Sequence, residues 1–175
     1  GIFSRNLLAE QKQHFKDIGN KSVLNTRKKK ACNGENLWSY ANVYFNPRNA
    51  MLFQKIKEPD NDKIGILKVS LDLYSPNLWI TDGNAANNIT DFFPSDRRGE
   101  ILPKIKEETM VNEYFGDDDE LKRKLQAECI VLDKIKPDCI KSIHLRHNSN
   151  FISEWERRFT KFRFPIIQER EMFFD

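Results

Sequence analysis

The stretch Tyr44-Phe45-Asn46-Pro47-Arg48-Asn49-Ala50-Met51-Leu52 joins two apolar runs through a corner that neither run continues. A strand-like segment, Tyr40 to Phe45, ends at Asn46-Pro47, because proline has no N–H to donate and fixes its own φ. Met51-Leu52-Phe53 follows at once. Arg48 is therefore held just past a strand end, flanked by Asn46 and Asn49. Its rigid fork and permanent charge suit it to clamp a phosphate or a carboxylate. The same placement also fits an arginine paired with a carboxylate in an ordinary turn.

Outward from this corner, composition sets the frame. A chain of 175 residues with 39% hydrophobic and 31% charged residues can bury a core as one soluble domain. Thirteen Phe against seven Gly and seven Pro suit a compact mixed fold and exclude a low-complexity protein. No apolar run is long enough to span a membrane, and no signal peptide is visible. The net charge of +3 gives slight support for an anionic partner. Cys32, Cys129 and Cys139 form no Cys-x-x-Cys pair, which suggests free thiols in a reducing cytoplasm. His14, His144 and His147 show no ligand spacing with them, so no metal site is expected. There is no Gly-rich dinucleotide fingerprint and no P-loop.

Along the chain, residues 1–35 read as irregular, with a short helical piece from Leu7 to His14. Within them Arg27-Lys28-Lys29-Lys30 is the densest basic run, either a solvated loop or a nucleic-acid contact. Met51 to Lys55 reads as a helical turn and Ile64 to Leu71 as an aliphatic strand. Leu78-Trp79-Ile80 is a short strand running into Thr81-Asp82-Gly83-Asn84. There Asp-Gly turns the chain and Asn84 is placed to cap a helix from Ala85 to Phe93. Helices are expected at Leu102–Glu108 and at Asp117–Lys124, the latter with acids first and bases last. Cys129 to Leu132 and Ile140 to Leu145 read as strands, with His144 structural in the second. Asn150 starts a helix whose stripe Phe151, Ile152, Trp155, Phe159 and Phe162 belongs to the core. Phe164–Ile167 and Met172–Phe174 read as terminal strands. Glu128 stands at a strand mouth behind a basic run, either to stabilise a developing positive charge or take a proton, or bridged to Arg123.

Three motifs now stand in order: Tyr-Phe-Asn-Pro-Arg-Asn-Ala-Met-Leu at 44–52, Thr-Asp-Gly-Asn-Ala-Ala at 81–86 and Gln-Ala-Glu-Cys-Ile-Val at 126–131. Together they resemble the DarT family of DNA ADP-ribosyltransferase toxins. The opening Gly-Ile-Phe-Ser-Arg-Asn-Leu-Leu and the ending Phe-Pro-Ile-Ile-Gln-Glu-Arg-Glu-Met-Phe-Phe are similar to that family as well, so the likeness covers nearly the whole chain. Ala50 stands where the family often has a second proline, and Cys129 where an aromatic is common. The resemblance also implies a preceding strand with a histidine that touches NAD, so residues 1–175 are expected to be a single, N-terminally incomplete domain.

What the resemblance implies is an α+β ADP-ribosyltransferase fold, with two small β-sheets forming an NAD cleft and helices outside. The implied reaction transfers ADP-ribose from NAD to a base of single-stranded DNA, thymine in the branch that looks closest, and releases nicotinamide. Glu128 and Arg48 are then the catalytic pair. Arg48, Ser4, Asn6, Phe45 and Met51 are expected on the NAD side, and Arg27, Lys28, Lys122, Arg123 and Gln126 on the DNA side. The implied partner is a macrodomain antitoxin of the DarG type; the toxin itself would be a cytoplasmic monomer without a metal. The alternatives are a transferase acting on RNA or protein, and an inactive nucleic-acid-binding module using Arg27–Lys30 and Lys122–Lys124.

Overall fold

A computed structural model describes residues 1–14, 19–58, 64–72, 75–110, 116–146, 152–159 and 164–174. In chain order the elements are β1 (Ile2–Phe3), α1 (Arg5–Glu10), α2 (Lys21–Lys29), β2 (Ala31–Cys32), β3 (Glu35–Asn36), β4 (Tyr40–Tyr44) and α3 (Ala50–Lys55). There follow β5 (Gly65–Val69), β6 (Leu78–Thr81), β7 (Phe92–Pro94), α4 (Arg98–Met110), α5 (Asp119–Lys124) and β8 (Glu128–Leu132). The last are β9 (Lys134–Ile135), β10 (Ile140–Arg146), α6 (Ile152–Phe159) and β11 (Ile166–Glu169). This is the mixed α+β class with small sheets that the sequence leads one to expect. No described helix is long and apolar enough to cross a membrane.

The chain forms two compact units: Gly1–Asn46 with Asp72–Pro137, and Pro47–Leu71 with Asp138–Asp175. The first change of unit falls at the Asn46-Pro47 corner, where the sequence stops strand pairing. β4 ends at Tyr44, and Phe45 makes one further backbone bond, donating to the Ala127 carbonyl at 3.1 Å.

The first unit is organised on a four-stranded sheet in the order β4-β8-β6-β7, with its paired strands antiparallel. β8 lies between two neighbours, so Cys129 and Ile130 are buried and the run Cys-Ile-Val-Leu needs no polar alternation. Its register puts Glu128 opposite Tyr44, and Cys129 opposite both Val43 and Ile80. Cys32, Leu37, Tyr40, Ala85 and Ile130 form a core cluster, with Trp79, Phe92 and Leu132 packed on it.

The second unit holds the sheet β11-β10-β5. β10 pairs antiparallel with β5 and parallel with β11. A parallel pair needs a crossover, and α6 lies in that connection. Trp155 of α6 stacks on Phe159 and lies over Gly65, where an added Cβ would stand 2.9 Å from Trp155 Cη2. His144 is buried between Ser142, whose Oγ is 2.7 Å from Nε2, and Glu169, whose Oε1 is 2.7 Å from Nδ1. Asn49 caps α3, its side-chain oxygen accepting from the Met51 and Leu52 N–H groups.

Four expectations change. Residues 21–29, read as irregular, form α2, capped by Asn20 and ending in Arg27, Lys28 and Lys29, which suit the negative end of the helix. No helix forms from Ala85 to Phe93. Asn84 and Asn87 accept the N–H groups of Ala86 and Ile89, which replaces helical bonding with successive turns, and Phe92 begins β7. Of the two terminal strands, only Ile166–Glu169 forms, while residues 171–173 turn. Glu128 does not bridge to Arg123; its partner is Arg27. Asn150, Phe151 and Phe162 of the expected aromatic helix lie outside the described residues.

Two outcomes follow from these placements. Asn49→Ala removes the cap of α3 and is expected to lower unfolding stability by about 1–2 kcal/mol in denaturant titration. Burial pushes the Cys32 and Cys129 thiols up to about 11 and about 12, whereas Cys139 is only half-buried. Thiolate is the reactive form, so an alkylating reagent at neutral pH is expected to label Cys139 alone in the folded protein and all three cysteines after unfolding, read by mass spectrometry.

Candidate functional site

Glu128 is the first residue of β8 and is fully buried, with 0% exposure. A carboxylate in that position needs partners on both oxygens. Arg27 Nη1 supplies them, donating to Oε1 at 2.9 Å and to Oε2 at 3.1 Å. The Ala85 backbone N–H donates to Oε1 at 2.9 Å. The Glu128 N–H donates to Thr81 Oγ1 at 3.0 Å, and Thr81 Oγ1 donates in turn to the Gly83 carbonyl at 2.7 Å. Thus β8, α2 and the turn after β6 converge on one carboxyl group, and the Thr-Asp-Gly-Asn-Ala-Ala motif is the cradle that aims it.

The electrostatics follow from this burial. Burial disfavours a charge on Arg27, but the Glu128 carboxylate outweighs it and holds the guanidinium more firmly protonated than usual. Burial, and then the Glu128 charge, push the Tyr44 phenol well up. Arg27 is itself buried at 4% exposure, and its Nη2 has no hydrogen-bond partner among the described residues. Two N–H donors of a cation are thereby buried beside a carboxylate without a hydrogen-bond partner among the described residues.

The cradle is pinned from outside by Arg123 on α5. The guanidinium donates to Asp82 Oδ1 at 3.1 Å, to Thr90 Oγ1 at 3.3 Å and to both oxygens of Glu120 at 2.8 and 2.9 Å. Its hydrogen bonds to Glu120, and then the charge of Asp82, hold it more firmly protonated than usual. It packs on Gly83, where an added Cβ would stand 3.0 Å from Arg123 Cγ. A side chain at 83 would dislodge this staple.

Of the residues expected on the DNA side, two are therefore corrected. Arg27 and Arg123 are buried in ion pairs and are not exposed phosphate contacts. Lys28 is exposed, with its ammonium over the Trp38 ring. Lys122, Arg123 and Gln126 are brought together on one cavity of about 360 Å3. Of the residues expected on the NAD side, Ser4 is buried and caps α1 by accepting the Leu7 N–H at 3.2 Å, and Asn6 donates to Ser39 Oγ at 2.9 Å. Phe45 is half-buried in the first unit; in the second, Arg48 is half-buried and Met51 is 43% exposed. Among the described residues no group of His, Cys, Asp and Glu is arranged to hold a metal ion.

The residue that sequence reading misplaced is Arg27. Its signal was present but weak. In α2, Val23 and Leu24 stand four and three positions before it, so Arg27 lies on the helix face that these apolar residues turn inward.

Comparison with known proteins places this chain in a family. The family model described as "ssDNA thymidine ADP-ribosyltransferase, DarT" matches residues 1–172. A relative from Thermosipho africanus, "DNA ADP-ribosyl transferase-DNA ADP-ribosyl glycohydrolase fusion protein", is 29% identical over 177 residues. That match covers 99% of this chain and 45% of the relative, so the chain spans under half the length of the curated relative it matches. The solved structure of Thermosipho africanus DarTG in complex with ADP-ribose superposes with a TM-score of 0.85 at 26% identity, covering 99% of this chain and 46% of that one. Thermus sp. 2.9 DarT in complex with ADP-ribosylated ssDNA gives 0.83 at 19% identity over 99% and 87% of the two chains, a likeness of fold. The chain belongs to the DarT family of ssDNA thymidine ADP-ribosyltransferases.

Proposed function

We propose that this protein transfers ADP-ribose from NAD to thymine in single-stranded DNA and releases nicotinamide. The observation that carries the reading is the Glu128 carboxylate, fully buried at the mouth of β8 and fixed by Arg27 and the Ala85 N–H. The bond from the nicotinamide ribose to the ring nitrogen breaks heterolytically, and nicotinamide leaves with the electron pair. Positive charge develops on the ribose. A carboxylate already oriented in a dry site stabilises that charge without reorganising. The base then forms the new bond to the ribose carbon and gives up its proton to solvent water. Glu128 takes the orienting and charge-stabilising role.

Arg27 is the positioning residue. It fixes both oxygens of Glu128, and the donors on its unpartnered Nη2 fit an oxygen of the incoming substrate. Arg48 is assigned to the NAD pyrophosphate, whose charge a guanidinium fork matches. Phe45 and Met51 keep an NAD-side assignment, as do Ser4 and Asn6 together with their hydrogen bonds within the protein. Lys28, Lys122 and Gln126 are assigned to the DNA. The relatives support this reading: one pairs a transferase with a glycohydrolase, one is solved with ADP-ribose and one with ADP-ribosylated ssDNA. The partner that fits is a macrodomain antitoxin of the DarG type. The three free thiols fit a monomer working in a reducing bacterial cytoplasm.

The test is mass spectrometry of mixed-sequence oligonucleotides after incubation with NAD and the protein. An ADP-ribose adduct on thymine is expected, forming faster on single strands than on duplex, because the base must leave the stack. Glu128→Gln removes the charge at nearly constant shape and is expected to reduce the adduct by about a hundredfold or more. Leaving Arg27 buried and unpaired costs about 3–5 kcal/mol. The double variant Arg27→Met, Glu128→Gln is therefore assayed beside it, and a folded but inactive protein separates chemistry from stability. Full activity in a folded double variant would overturn the assignment of both residues. Adducts on RNA or protein with none on DNA would overturn the choice of acceptor.

A further inference from the structure

Lys30 is the C-cap of α2, and its backbone is held on both sides. Its N–H donates to the Thr26 carbonyl at 3.1 Å, and its carbonyl accepts the N–H of the core residue Leu37 at 2.9 Å. Lys28 and Lys29 are exposed, whereas Lys30 is half-buried. Its ammonium donates to the Asn87 carbonyl and stands over the Phe92 ring, 5.0 Å from the centroid. A cation on a ring face adds to the hydrogen bond. One side chain thus leaves the end of α2 and fastens at two places on the segment that joins β6 to β7. Asn87 is the hub of that segment. Its carbonyl also accepts the Thr90 N–H at 3.2 Å, and its side-chain oxygen accepts the Ile89 N–H at 3.1 Å.

These two pieces of chain are the ones that meet on Glu128 Oε1. Arg27, three positions before Lys30, reaches it from α2 at 2.9 Å. The Ala85 N–H, two positions before Asn87, reaches it from the turn at 2.9 Å. The Arg123 staple ties the turn to α5 through Asp82, Thr90 and Glu120, and Lys30 ties it to α2. The charge that makes this tie is sensitive to its surroundings. Burial, and then the Arg27 charge, make the Lys30 ammonium give up its proton more readily than an ordinary lysine, while Asp82, Asp91 and Cys32 oppose this.

We propose that Lys30 is a positioning residue for the transfer reaction: its ammonium latches the segment that carries Ala85 onto the helix that carries Arg27, so that both donors hold Glu128 in one orientation. The inference rests on the function proposed above. Lys30 touches neither Glu128 nor Arg27 in any hydrogen bond described, and it acts through the two chain segments.

The experiment measures steady-state transfer from NAD to a thymine-containing single strand, per folded protein as read by denaturant unfolding. Lys30→Met keeps the length of the stem and removes the charge. It is expected to lower kcat by about tenfold or more, since a small misplacement of a reacting group is costly, and to leave KM for NAD and for DNA near the wild-type values. Lys30→Arg can still donate to the Asn87 carbonyl and lie on Phe92, and is expected to restore most of kcat. The second measurement is the pH profile. The latch is charged at neutral pH and is lost as pH rises through the Lys30 titration, which lies below the ordinary lysine range. The ratio of wild-type to Lys30→Arg kcat at each pH cancels the titration of the substrate and of groups common to both proteins. That ratio is expected to fall on the alkaline side. An unchanged kcat in Lys30→Met, a loss that Lys30→Arg shares, or a flat ratio overturns the latch while the reaction stands. A raised KM for DNA with kcat kept also overturns it, and makes Lys30 a phosphate contact instead. A wild type that modifies no DNA overturns the reaction and the part of Lys30 in it together.

Discussion

A carboxylate with no access to water fixes much of what surrounds it. Glu128 is the first residue of the strand that lies between β4 and β6, and two charged groups are taken out of water there together. Such a pair is seldom a net source of stability, since the loss of hydration offsets the attraction. It is strongly destabilising to lose either half alone. Arg27, Thr81 and the Ala85 N–H therefore act as one unit with Glu128, and their helix and turn must be in place before the strand can begin with a charge. The cost in folding is what gives the carboxylate one orientation.

Two buried arginines stand near this centre and do different work. Arg123 donates to Asp82, Thr90 and Glu120, and it packs on Gly83, so it braces the turn that carries Ala85. Arg27 touches the carboxylate directly and keeps Nη2 donors in reserve. Proximity along the chain favoured Arg123 as the partner of Glu128, five residues away, yet the salt bridge runs to a residue 101 positions distant. The reason is direction. Arg123 sits on α5 and reaches outward to its own helix and to Asp82, whereas α2 lays Arg27 under the start of β8.

The second unit depends on its own contacts. Gly65 leaves room for the Trp155 ring, and His144 sits between Ser142 and Glu169 and so links β10 to β11 by side chains as well as by backbone. The unit begins at Pro47, and Arg48 follows in the turn that Asn49 closes by capping α3. A cation placed by a proline on one side and a cap on the other has little freedom in its backbone, which is the property wanted of a phosphate clamp.

The sequence by itself determined the class of fold, strands read at 40–45, 64–71, 78–80, 129–132 and 140–145, and the family. These rest on local signals: runs of aliphatic and β-branched residues, the Asn-Pro stop, and three ordered motifs whose residues are adjacent in the chain. It singled out Glu128 as a candidate through the Gln-Ala-Glu motif, for the same reason. Only the tertiary structure decided what that glutamate pairs with. The basic run 27–30 looked uniform as a string, but coiling into α2 turned Arg27 inward while Lys28 and Lys29 remained exposed. It also decided that residues 85–91 turn instead of forming a helix, because Asn84 and Asn87 bond their own backbone and Ala85 is drawn onto the carboxylate. Hydrogen bonds between residues 43 or 101 positions apart leave no periodicity to read. They exist only once the strands have set the register, and the register is a property of the packed sheet.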